Sequence, residues 1–183
     1  MCADTPEHHE PQTPRVGPLP EGEWDDALKA VVANTGPLNV FTTIGRHREL
    51  FQSWIGFGSM LLYKGTIPAR DRELAILRTA HRRSCAYEWT HHRRIGLEAG
   101  LTEAEVAATR LGLDDHAWSE DDLAVLTAAD ELDELGTVTD GTWAALAGRF
   151  GENQLIELVI LIGHYHMVAF ALNALRVQVE DGH

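Results

Sequence analysis

The chain has 183 residues, 44% of them apolar and 23% charged, which fits one globular domain able to bury about 70% of its unfolded surface. Its net charge of −13 repels nucleic acid and anionic membrane surfaces, so neither is expected as a partner. Cys2 and Cys85 cannot build a disulfide framework, and no basic leader or apolar run of ~18 residues stands out; a cytoplasmic location is expected.

Residues 1–20 hold five of the seven prolines and little apolar periodicity, and read as a disordered arm before a domain spanning 21–183. From Glu23 onward helical spacing dominates. Trp24, Leu28, Val31 and Val32 share one face of a first helix, which stops at Asn34-Thr35-Gly36-Pro37. Asn39 is the expected cap of a short helix from 40 to about 47. A third helix runs through Leu50, Trp54, Phe57, Leu61 and Leu62 to near Gly65, with Trp54 and Phe57 as core or pocket lining. Pro68 then starts a helix with Leu74, Ile76, Leu77, Thr79 and Ala80 facing inward.

Near Arg83-Ser84 the chain turns, by a kink or a break, and helix resumes to Ala99-Gly100. Thr102-Glu103-Ala104-Glu105 is a capping box. Ser119 caps a helix bearing Leu123, Leu126, Ala129 and Leu132 that Gly136 stops, and Thr139 or Asp140 caps the helix 143–150. Asn153 or a neighbour opens a last helix to about 177. No segment alternates with period two, so the fold is expected to be all-α, one bundle of about eight helices.

Residues 70–100 carry the chemistry. From Cys85, Glu88 is three positions on and His92 seven, so all three project from one side of a helix. Glu88 and His92, one turn apart, are spaced for a carboxylate–imidazole hydrogen bond that raises the ring's basicity. Glu73, on the preceding helix, can approach the same place if the two helices form a hairpin. Two carboxylates beside one histidine would drive their pKa values apart, a route to an acid and a base at neutral pH. The plain alternative is a solvated face of Glu88, His91, His92, Arg93 and Arg94, but Tyr87 and Trp89 beside it point to partial burial. Tyr87, Trp89 and His91 are therefore substrate-contact candidates.

Two further readings remain. Glu73, Glu88 and His92 could ligate a metal, but the paired Glu-x-x-His of a carboxylate-bridged site is missing, and no metal or cofactor is expected. Cys85 near a helix start could be a reactive thiol, yet no cysteine stands three residues on; a buried small hydrophobe is the simpler reading. On the last helix, Leu155, Val159, Ile162, His166, Phe170 and Asn173 form a stripe, which makes His166 and Asn173 polar groups on an apolar face and candidate substrate contacts. His164 and Tyr165 are left unassigned.

The segments PLNVFTTIGRHRELFQSW, PARDRELAILRTA, YEWTHH, AGLTEAEV and HYHMVAFALNALRV resemble the carboxymuconolactone decarboxylase family, which includes the alkylhydroperoxidase D-like proteins. The resemblance implies an all-helical fold in dimers, trimers or hexamers, with a pocket at or near a subunit interface. In the peroxidase branch a Glu precedes Cys-x-x-Cys by about twelve residues and a His follows four after the second Cys. Glu73, Cys85 and His92 match, whereas Glu88 replaces the second cysteine, and a carboxylate cannot be oxidised and re-reduced. The chain is more similar to the branch with Tyr-Glu-Trp before the histidine.

The leading expectation is thus a cofactor-independent acid–base enzyme acting on a small cyclic or carboxylated organic molecule. His92 carries the proton, Glu88 orients it or acts as partner acid, and Glu73 is the second carboxylate. For a carboxylated substrate, Arg46, Arg48, Arg70, Arg72 and Arg78 are the nearest cations by sequence. The alternatives are a single-cysteine thiol peroxidase using Cys85 and a non-catalytic oligomer that binds a small molecule.

Overall fold

A computed structural model describes residues 13–180. Among them nine α-helices follow one another, with no strand: α1 (Asp26–Thr35), α2 (Asn39–Ile44), α3 (Arg48–Tyr63), α4 (Ala69–Arg82), α5 (Ala86–Glu98), α6 (Glu103–Ala108), α7 (Glu120–Leu135), α8 (Asp140–Ala147) and α9 (Glu152–Leu175). Single 3-10 turns occupy Glu21–Glu23 and Leu113–Asp115. The turn at Arg83-Ser84 is a true break between α4 and α5. Ser84 there takes φ +50°, a left-handed conformation uncommon outside glycine.

Several helix ends form as their sequences dictate. Thr102 and Glu105 make a reciprocal capping box, Ser119 accepts from the Asp122 N–H, and Thr139 accepts from the Thr142 N–H. Gly136 ends α7 at φ +69°, where a side chain would be strained. Asn39 is not a cap. Leu38 holds that position, and the Asn39 backbone N–H donates to the Glu180 carboxylate, an anion at a helix start supplied by the C-terminal segment.

Residues 13–20 correct the expectation of a disordered arm running to 20. The Arg15 N–H donates to the Leu175 carbonyl and the Leu19 N–H to the Thr42 carbonyl, while Leu19 packs with Leu28 and Phe51. Proline-rich chain without periodicity docks here as an extended strap, its backbone groups paired to helix ends. Residues 1–12 lie outside the described residues.

α4 is the axis of the bundle, with α5, α7 and α9 packed around it. Leu74, Ala75, Ile76, Leu77 and Ala80 are buried, but so are Asp71, Glu73, Arg78 and Thr79. Burying such groups is costly unless they are bonded. Asp71 accepts from Arg149 at 2.8 Å, and Arg78 makes two 2.7 Å bonds to Asp130 while donating to the Thr109 and Leu111 carbonyls.

α9 has 24 residues and an 18-residue window of mean hydropathy 1.9, long and apolar enough by length and composition alone to cross a membrane, although Gly163, His164 and His166 interrupt its apolar run. Half of that window is buried against the other helices, as in a core helix of a globular fold.

Candidate active site

A cavity of about 730 Å³ opens between α1, α2, α3, α5 and α9, walled largely by apolar and aromatic side chains such as Val31, Phe41, Trp54 and Leu172. α5 and α9 supply its polar groups. The Tyr87 hydroxyl accepts from the Val40 N–H and donates to Glu180 at 2.7 Å, and His91 Nε2 meets the other Glu180 oxygen at 2.8 Å. These bonds fix the first turns of α5 against α2 and the C-terminal segment, and so aim the next turn.

His92 Nδ1 lies 2.7 Å from Glu73 Oε2, and Glu73 Oε1 accepts from Arg72 at 2.9 Å. Glu73 has no exposed surface. Burial acts to raise its pKa, but His92 and Arg72 more than offset that and hold it below the usual carboxylate range. An ionised carboxylate only accepts, so His92 Nδ1 carries a hydrogen and Nε2 is the nitrogen left for the cavity. The Tyr165 ring meets the His92 ring edge-on at 4.9 Å and holds its plane.

Glu88 does not bond His92 through its oxygens, contrary to the expected pairing. Both carboxyl oxygens are buried without a hydrogen-bond partner, and burial pushes its pKa well above the usual range. Burial without a partner therefore favours its protonated, uncharged form. The two carboxyl groups are thus driven in opposite directions, Glu73 towards the ion and Glu88 towards the acid.

His164 and Tyr165, the residues left unassigned, line the cavity. His164 stacks on Trp54 at 6.3 Å and takes the Phe57 ring at 5.2 Å. Its Nδ1 is buried without a partner, and burial lowers its pKa to about 4, so it is neutral at physiological pH.

Four expected residues face elsewhere. His166 bonds the Ile162 carbonyl through Nδ1 and Asp133 through Nε2, both at 2.8 Å. Asn173 donates to the Arg83 carbonyl and so caps the end of α4. Trp89 packs against the main core, donates to Thr109 Oγ1 and lies under the Arg110 guanidinium. Cys85 sits in the apolar cluster of Val40, Val168 and Leu172, off the cavity wall. Burial, with the nearby Glu88, pushes its pKa up to about 12, overriding the backbone N–H groups of the α5 start.

The arginines are committed as well. Arg46 bonds backbone carbonyls of the strap, Arg48 lies 3.9 Å from Asp25, Arg70 pairs with Glu105 and Asp122, and Arg72 and Arg78 are paired as above. Among the described residues no group of three or more His, Cys, Asp and Glu side chains is gathered to hold a metal.

Fold and site together define an all-helical protein with a His–Glu dyad at the wall of an apolar cavity. Residues 48–131 are similar to the carboxymuconolactone decarboxylase family. No curated protein matches the sequence. Among solved structures, an alkylhydroperoxidase AhpD core, peroxidase-related protein of Ralstonia eutropha JMP134 superposes with TM-score 0.81 at 16% identity, covering 91% of this chain and 93% of its own. The debrominase Bmp8 superposes at 0.77 with 19% identity over 91% and 92% of the two chains. A putative antioxidant defence protein AhpD of Agrobacterium tumefaciens reaches 0.68 at 18% identity over 75% and 94%. At these identities the likenesses establish the fold.

Proposed function

We propose that the protein is a cofactor-independent acid–base enzyme acting on a small organic molecule held in the cavity. The observation that carries this is the Glu73–His92 bond, which leaves His92 Nε2 at the cavity with its lone pair available. His92 takes a proton from substrate at Nε2, and the Glu73 carboxylate stabilises the imidazolium that forms. Glu88, holding its proton, delivers it where negative charge develops. The apolar walls exclude water, which strengthens both interactions. Isomerisation or another proton-transfer step on an uncharged molecule can use this pair. That the fold also serves a debrominase supports an enzymatic use of such a cavity.

The test is a turnover screen of small ring and carbonyl compounds with wild type and His92→Ala. The variant should lose about 10²–10⁴-fold in turnover while remaining folded. Retained activity removes His92 from the mechanism. Ligands that raise Tm but are never consumed favour a binding protein instead. Thiol peroxidase chemistry draws no support from a Cys85 that is buried, protonated and off the cavity.

Self-association with a second copy of the chain is part of the reading. It is supported by Ile156, Ile160, Met167 and Phe170, which form an exposed apolar stripe along α9. Light scattering should give a multiple of the 20.3 kDa chain mass, and Phe170→Glu should reduce it.

A further inference from the structure

We propose that the cavity takes an uncharged, flat ring molecule whose polar substituent hydrogen-bonds to Glu88 or His164. This rests on the reading above in one respect, that substrate binds in this cavity. About 730 Å³ is room for one or two fused rings, and Phe41, Trp54, Tyr63 and Leu62 offer flat apolar surface to them.

Charge decides against an ion. The cavity's one arginine among the described residues is Arg94, whose side chain is 66% exposed and bonded to Glu98. It stands at the rim. Arg72 is bonded to Glu73 and does not line the cavity. A carboxylate deep in the site would therefore lose its water without meeting a buried arginine or lysine, and the acids Glu180 and Glu73 already engage His91 and His92. A cation finds no ionised carboxylate there either, since Glu73 is engaged by Arg72 and His92, and Glu88 keeps its proton.

What the lining residues Glu88 and His164 do hold is hydrogen-bonding capacity that no other protein group uses. Both Glu88 oxygens and His164 Nδ1 are buried without partners, and each residue is more than nine-tenths buried. Buried polar groups left open in this way are matched by a ligand hydroxyl, carbonyl or ring N–H. Gly58 keeps the approach to His164 open, for a Cβ there would lie 3.3 Å from Nε2.

Isothermal titration of the full chain at neutral pH with 2-naphthol, 2-naphthoate and 2-naphthylmethylammonium tests this. The neutral ring should bind at least about tenfold more tightly than either ion, because only the ions are left uncompensated. Equal or tighter binding of either ion overturns the proposal, and so does absence of binding by all three. In the folded His164→Phe protein, which keeps a ring and loses both nitrogens, 2-naphthol should bind several-fold more weakly; unchanged affinity there and in Glu88→Leu contradicts the assigned partners. Equilibrium binding does not need turnover. Selective binding of 2-naphthol with no consumption of any substrate would end the acid–base reading and leave this one standing.

Discussion

Two of the histidine–carboxylate pairs among the described residues, His92–Glu73 and His166–Asp133, differ in how their ring nitrogens are committed. His92 meets Glu73 at 2.7 Å and His166 meets Asp133 at 2.8 Å, so distance does not separate them. Occupancy does. His166 spends one nitrogen on the Ile162 carbonyl and the other on Asp133, whose carboxylate also takes Arg82 and Arg83. That is a closed network joining α4, α7 and α9. His92 spends only Nδ1, and its ring lines a cavity. A histidine with one nitrogen committed and one presented to a cavity is built for proton transfer; one with both committed is a fastener.

The largest expected contrast is in turnover. His92→Ala should lose about 10²–10⁴-fold, whereas His166→Ala should stay near wild type in turnover and lose about 1–2 kcal/mol of stability by denaturant titration. The reverse pattern would exchange the two assignments. Glu73→Gln comes next: its amide can still bond Nδ1 but cannot stabilise an imidazolium, so turnover should fall by about tenfold or more with the fold retained.

Stability against pH gives a smaller, signed effect. Glu88 has a folded pKa above its unfolded value near 4.5, so the native state holds more protons once pH passes 4.5. The Glu88 contribution to stability should fall as pH rises from about 4.5 towards the raised folded value, read as a pH-dependent difference between wild type and Glu88→Gln. His164 has the opposite sign for its class. Its folded pKa of about 4 lies below the ordinary 6.5, so the unfolded chain holds more protons between the two. The His164 contribution to stability should fall as pH drops from 6.5 towards 4, read as the difference in urea midpoints between wild type and His164→Phe across the range.

The same contrast explains what the sequence could and could not reveal. The helices α4 and α5 are legible because Pro68 and the 3.6-residue spacing are local signals, whereas spacing alone leaves kink and break at Arg83-Ser84 equally open. The convergence of Glu73 with His92 was legible as well. The partner of His92 was not, since a four-residue spacing places two side chains on one face without saying whether a third element meets one of them first. α9 misled in phase. Leu158, Leu161, Tyr165, Val168 and Leu172 face inward, while Ile156, Ile160, Met167 and Phe170 are just as apolar and face out. With apolar residues on every side, periodicity cannot tell which stripe is buried, and the assignment slipped from His164 and Tyr165 to His166 and Asn173.

The account turns on which nitrogen of His92 carries its hydrogen. Long-range proton–nitrogen NMR on ring-labelled protein, at a pH where the imidazole is neutral, reads this directly. It should show a protonated Nδ1 and an unprotonated Nε2, with that preference weakened in Glu73→Gln. A neutral ring protonated at Nε2 would leave no base facing the cavity and would contradict the proposed chemistry.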